Sequence, residues 1–245
     1  MRSNHDNVKV KAKKGRSENR VAPLYRSARR TIASPKTDVA LEPAPKAIRA
    51  AVETLYEIAP QFEPIEKMAG PLTVKRLSPE FASLIRIVVG QQLHTKAAAS
   101  IFGRLQDTVK LSPEGILGVP ETTLSKAGLS RPKINTCLAL ANAVASKRLN
   151  IAKLKTLEDD GAREKLVAIR GIGPWTAEIY LLFCLGRMDA WPHSDLGLQL
   201  AYQSLRRLPE KPDTRALLAI GEDFRPVRGA AAYLLWHYYR HVKGR

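Results

Sequence analysis

The chain has 245 residues, with 40 Lys and Arg against 23 Asp and Glu, a formal net charge of +17. An excess that large favours a polyanion such as nucleic acid, or an anionic membrane surface. No apolar run approaches the roughly eighteen residues a membrane span needs, the start lacks the apolar stretch of a secretory signal, and the only two cysteines, Cys137 and Cys184, are too few for a four-cysteine zinc site or iron–sulfur cluster and suit a reducing compartment.

Residues 1–45 hold 11 Lys/Arg and 4 Asp/Glu, a net of +7. This basic segment has few large apolar residues and no periodicity, so a disordered tail is expected over 1–45. It reads as a solvated tail, a DNA tether or a targeting segment; Asp6 and Glu18 weaken the last of these. A globular unit is expected over 46–245.

That unit reads as helix and short loop throughout, with no alternating strand pattern. Ala47 to Ile58 has helical apolar spacing and stops before Pro60. Ser78-Pro79-Glu80 reads as a helix start, with Ser as N-cap and Pro in the first turn. The run that follows is long and apolar, and Gly90-Gln91-Gln92 marks a break in it. Ser112-Pro113-Glu114 opens a short helix, and Gly128-Leu129-Ser130 precedes another. Further helices are expected over Leu196–Leu205, Thr214–Ile220 and Pro226–His241. The expected class is all-α, with two helical lobes and a cleft between them.

Leu166 to Gln199, LVAIRGIGPWTAEIYLLFCLGRMDAWPHSDLGLQ, is the most informative stretch. It reads as helix, glycine hairpin, helix, loop, and an Asp opening another helix. Gly171 and Gly173 permit positive φ and close backbone approach. Pro174 suits the first turn of the second helix. The free N–H groups there present partial positive charge to an anion such as a DNA phosphate. Gly171, Ile172 and Gly173 are therefore the candidate DNA-binding hairpin. The ordinary alternative is a glycine turn between packed helices. Asp195 precedes an apolar run and suits a helix N-cap; a carboxylate there can also serve chemistry on a nucleotide.

GIGPWTAE, with Asp195 twenty residues after Trp175, resembles the helix-hairpin-helix superfamily of DNA base-excision glycosylases. Within it, the chain looks most like the 3-methyladenine DNA glycosylase II branch, over roughly Pro71 to Tyr239, in a short form without the N-terminal β-rich domain. The resemblance implies that Asp195 is the catalytic acid, that Trp236 and Trp175 line the base pocket, and that Gln92, in Gln91-Gln92-Leu93, is the wedge filling the gap left by the flipped base. It also implies that Val167, Ile169 and Ile172 supply backbone carbonyls to a monovalent cation, potassium or sodium, at the hairpin. No other cofactor is required.

A carboxylate beside the sugar stabilises the oxocarbenium-like state formed as a base leaves, and orients the attacking water. An electron-rich pocket suits an alkylated base, whose ring carries positive charge. Ile179 and Leu196 stand where some relatives carry tyrosines, so the pocket is less aromatic than theirs. Bifunctional members have Lys at the position of Trp175, which points to a monofunctional enzyme without lyase activity. His193 reads as a loop histidine; Lys133 and Arg228 read as phosphate or structural contacts. The expected function is release of alkylated purines, 3-methyladenine and also 7-methylguanine, from double-stranded DNA. The alternatives are a glycosylase for hypoxanthine or another deaminated base, and a non-catalytic damaged-DNA-binding module. The expected protein is a monomer, without a membrane partner, acting in the cytoplasm and nucleoid of a bacterium or the nucleus of a eukaryote.

Overall fold

The computed structural model describes residues 40–244. The tail expected over 1–45 therefore lies largely outside the described residues. Its last part does not: Glu42–Pro43 (β1) pairs antiparallel with Thr73–Val74 (β2), Glu42 opposite Val74. Two residues per strand are too few to show an alternating pattern, so the sequence gives no sign of this ladder.

Twelve α-helices, with short 3-10 turns at Pro60–Phe62 and Ala152–Thr156 and a π-helical turn at Leu181–Leu185, make up the rest of the architecture among the described residues. They are α1 (Lys46–Ile58), α2 (Pro64–Ala69), α3 (Phe81–Gly90), α4 (Thr95–Thr108), α5 (Pro113–Leu117), α6 (Glu121–Lys126), α7 (Arg131–Ala145), α8 (Asp159–Val167), α9 (Pro174–Tyr180), α10 (Leu196–Arg206), α11 (Thr214–Glu222) and α12 (Arg228–Lys243). None is long and apolar enough to cross a membrane. In α1 the buried residues are Ile48, Ala51, Val52 and Leu55, the i, i+3, i+4, i+7 stripe of a helix packed on one side. By contrast, α12 is buried along every position from Arg228 to Leu235, as a helix enclosed on all sides must be.

The packing joins the two ends of the described chain. Helix α12 packs against α1, α2, β2 and α10, while α7 packs against α5 and α6. Helix α3 packs on α4, α7 and α9, and α9 on α8. The chain thus forms one group of helices from its two ends and a second from its middle.

Helix starts follow the expected logic in part. Ser112 Oγ accepts from the Gly115 amide and caps α5. Ser78 caps nothing: α3 begins at Phe81, and the Ser78 carbonyl accepts from the Glu80 amide in a turn before it. The last helix begins at Arg228 rather than Pro226. The expected break is real: α3 ends at Gly90 and α4 begins at Thr95. After Tyr180 the chain widens into a single π-helical turn, Leu181–Leu185, closed by left-handed Gly186.

Candidate active site

The hairpin is built by Gly171, at φ 88°. A Cβ there would lie 1.9 Å from Thr136 Oγ1 on α7, so both backbone conformation and packing require glycine. Gly173 differs. Its φ of −92° with ψ of 177° is extended, so the expected positive φ applies to Gly171 only. No atom lies within 4 Å of a Cβ built on Gly173, which leaves open space at the start of α9. Ile172 is buried, and its amide donates to the Ile169 carbonyl at 2.9 Å. The hairpin is thus anchored by its isoleucine and open at its second glycine.

Asp195 N-caps α10, its Oδ1 accepting from the Leu198 amide at 3.0 Å. The same oxygen accepts from Trp236 Nε1 at 3.0 Å, and Oδ2 accepts from Trp175 Nε1 at 2.8 Å. The two candidate pocket tryptophans therefore meet at the acid through their indole N–H groups. A carboxylate has about four lone-pair sites. Three are taken by these donors, two on Oδ1 and one on Oδ2. Gly197 keeps the arrangement tight: a Cβ there would lie 3.0 Å from Asp195 Oδ1 and 3.5 Å from Trp236 Cδ1.

Trp236 is half-buried, and its ring centroid lies 5.3 Å from that of Phe183, which stacks on Tyr233 at 5.7 Å. Phe183 sits in the π-helical turn, a local widening that often accompanies functional sites. Sequence reasoning missed it, because one phenylalanine in an apolar run carries no positional signal. Ile179 is buried and Leu196 is 57% exposed beside Asp195, so the tyrosine-free positions are a packed one and an open one.

A second missed residue is Glu178. It is buried, accepts from the Arg163 guanidinium through Oε1, and accepts from the Trp191 amide through Oε2 at 2.7 Å. Trp191 begins the loop that leads to Asp195, and its own indole donates to the Leu217 carbonyl at 2.9 Å. Trp175 and Glu178 lie three residues apart, on one face of α9. One face of that helix thus holds both ends of the loop, at Asp195 and at Trp191. The sequence signal was an acid inside the apolar run TAEIYLLF.

His193 Nδ1 lies 3.1 Å from the Trp191 carbonyl and belongs to the same loop. Among the described residues no cluster of His, Cys, Asp and Glu is placed to hold a metal ion. Arg228 is buried and donates to both Asp189 oxygens at 2.8 and 2.9 Å and to Glu222 at 3.1 Å, which makes it structural rather than a phosphate contact. Lys133 Nζ donates to the Val89 carbonyl at 2.7 Å, and burial lowers its pKa. Gln92, the candidate wedge, is exposed at φ 54° in the turn after α3. Cavities of about 440 and 360 Å³ lie beside Arg148 and Arg170 and beside Arg49 and Glu66; neither is lined by Asp195 or its tryptophans.

The stretch 85–226 matches the family described as HhH-GPD superfamily base excision DNA repair protein. The DNA-3-methyladenine glycosylase 1 of Schizosaccharomyces pombe is 35% identical over 161 residues, covering 64% of this chain and 71% of that protein. Among solved structures, the Schizosaccharomyces pombe 3-methyladenine DNA glycosylase in complex with abasic DNA is similar at a TM-score of 0.68 and 32% identity, over 76% of this chain and 95% of that one. A DNA-3-methyladenine glycosidase from Bacillus halodurans is similar at a TM-score of 0.67 and 32% identity, over 80% of this chain and 91% of that one. The family match takes in α4 to α11 whole, with the hairpin, the loop held by Glu178 and Asp195 inside it, and on that ground the chain belongs to the HhH-GPD superfamily of base excision DNA repair proteins.

Proposed function

We propose that the chain is a monofunctional DNA glycosylase releasing alkylated purines, such as 3-methyladenine and 7-methylguanine, from double-stranded DNA. The observation that carries this reading is the Asp195 carboxylate, held by Trp175, Trp236 and the Leu198 amide. The named relatives, all 3-methyladenine glycosylases, support it.

The chemistry follows from the lone-pair count. The N-glycosidic bond breaks with its electron pair going to the base. An alkylated purine carries positive charge, so it departs neutral and needs little protonation. The sugar becomes oxocarbenium-like at C1′. The remaining lone pair of Oδ2 faces that charge and accepts a hydrogen bond from the attacking water. Water adds to C1′ and gives up its proton to Asp195 Oδ2, which passes it on to solvent, leaving an abasic site and the free neutral base. The Trp236 and Phe183 rings offer electron-rich surface to a cationic base.

Position 175 is an indole, not an amine. A lyase needs an amine nucleophile at the sugar to form a Schiff base, and Asp195 is contacted here by two tryptophans instead. The hairpin supplies a phosphate grip at the α9 start. The Val167, Ile169 and Ile172 carbonyls fit a monovalent cation: oxygen donors suit hard cations, and Ile169 O spends only one lone pair on the Ile172 amide. When bound, the ion adds positive charge beside the DNA phosphate. The protein acts as a monomer, wherever the cell keeps its DNA.

Methylated duplex DNA incubated with the protein tests this reading. Free 3-methyladenine by chromatography, with strands that break only after alkali, is the expected result. Nicking without alkali, or a borohydride-trapped covalent complex, would overturn the monofunctional part. Absence of released base would move the substrate to another lesion, such as hypoxanthine or a deaminated base; no release across a panel of lesions, with tight binding, would replace the enzyme by a damaged-DNA-binding module.

A further inference from the structure

The turn that carries Gln92 is fixed from three directions. Gln91 Nε2 donates to the Gly171 carbonyl at 3.1 Å and to Thr176 Oγ1 at 2.9 Å. Lys133 on α7 donates to the Val89 carbonyl at 2.7 Å, at the end of α3. Within the turn, the Gln91 amide donates to Val88 and the Leu93 amide to Gly90, both at 3.2 Å. Thr136, the α7 residue that excludes any side chain at Gly171, lies one helical turn from Lys133. The end of α3, the start of α7 and the hairpin thus meet at one junction, with the Gln91 amide at its centre.

The backbone beside it is strained. Gln92 sits at φ 54°, a region L residues adopt at a cost and keep only where their surroundings dictate it. Gln92 is exposed, so its own side chain does not hold that conformation. The ties on either side do.

We propose that Gln91 is a positioning residue that locks the wedge-bearing turn to the hairpin, so that the phosphate grip and the wedge act at one fixed spacing. This rests on the reading of Gln92 as the wedge and of the hairpin as the phosphate grip. Gln91 does not touch the base. It sets where Gln92 stands when the backbone is seated, and thereby how much of the cost of extruding a paired base the enzyme recovers. Both acceptors, Gly171 O and Thr176 Oγ1, belong to the hairpin and the helix it opens.

The test compares wild type with Gln91→Leu, Gln91→Glu and Gln92→Ala. Each is given two duplexes carrying the same alkylated purine, one opposite its normal partner and one opposite an abasic gap, where no pair has to be broken. Single-turnover base release is measured, alongside affinity for undamaged duplex and melting temperature. Gln91→Leu keeps the size and removes the donors; it should slow release from the paired duplex about ten-fold, the loss of two hydrogen bonds, and much less from the gapped one. Gln91→Glu, which sets an acceptor against the Gly171 carbonyl, should lose at least as much. Melting temperature should fall by a few degrees in each Gln91 variant, because the buried Thr176 hydroxyl loses its donor, while affinity for undamaged DNA should stay near wild type; the pair-dependent loss is read on folded protein below that transition. Equal losses on both duplexes, or none on either, would overturn the proposal. If Gln92→Ala shows the pair-dependent loss and the Gln91 variants do not, the wedge stands and the lock falls. If Gln92→Ala shows no pair dependence, the wedge reading fails and takes the lock with it.

Discussion

Trp175 donates its indole N–H to Asp195 Oδ2 across 2.8 Å, and so ties the helix that opens at the hairpin to the candidate catalytic acid. The hairpin and the acid are therefore tied by one short helix. Trp236 makes the matching bond to Oδ1 from α12. Tryptophan is a donor only, so both bonds run from indole to carboxylate.

Replacing these indoles separates stacking from hydrogen bonding. Trp175→Phe and Trp236→Phe keep an aromatic face and lose the N–H. A hydrogen bond to a charged group contributes about 1.5–3 kcal/mol, so each variant should slow single-turnover base release by about ten- to a hundred-fold, with binding to abasic duplex little changed. Rates near wild type would assign both tryptophans to the base pocket alone.

The two hairpin glycines should respond differently. Gly171→Ala forces a Cβ into Thr136 at a positive φ and should cost about 1–3 kcal/mol for each of the two strains, seen as a large drop in melting temperature. Gly173→Ala meets open space and should melt near wild type. It should weaken duplex binding by about ten-fold, because the new Cβ projects into that open space and holds a phosphate off the helix-start N–H groups, weakening about one charge-assisted hydrogen bond. Equal destabilisation by both would contradict the hairpin geometry.

Much of this was legible in the sequence, and the misses have physical reasons. The long helices showed themselves by apolar spacing, and Ser112 by its cap. Ser78 did not cap because the chain turns once more before α3. The hairpin and Asp195 were found because GIGPWTAE and the spacing to the acid are local. What escaped was set by tertiary packing: the N–H of Trp236 reaching Asp195 over 41 residues, Glu178 holding the Trp191 amide, and Gln91 reaching the hairpin over 80 and more. A side chain's type shows that it can donate; only the fold shows to whom.

Burial pushes the Cys137 thiol up to about 12, and raises that of Cys184 as well. Both are buried and free of disulfides. Native protein should resist a thiol reagent at pH 8 and react at both positions once unfolded, since the thiolate is the nucleophile. The linkage has a sign. With the folded pKa above the unfolded value near 8.5, the neutral thiols stabilise the fold fully below about pH 8.5. That stabilisation is lost as pH rises towards the folded pKa values. Rapid native labelling, or stability rising across this range in proportion to the two thiols, would contradict the burial.

Arg228 tests the structural assignment made for it. Its guanidinium is buried against Asp189 and Glu222. Its carboxylate partners keep 24% and 52% exposure, so Arg228→Ala leaves no fully buried charge behind; it should still melt below wild type, through lost packing and loss of the two-oxygen contact with Asp189. Arg228→Lys should recover little, because an ammonium cannot repeat the two-oxygen contact with Asp189. A variant of normal stability with reduced DNA affinity would return Arg228 to the DNA interface.

The most direct test of the central claim is single-turnover base release by Asp195→Asn on an alkylated duplex, with affinity for an abasic duplex measured on the same protein. Asparagine keeps an oxygen for the Leu198 amide and removes the charge. Base release should fall by about 10²–10⁴-fold while abasic-duplex affinity stays within a few-fold of wild type. Base release by Asp195→Asn at the wild-type rate would contradict the account.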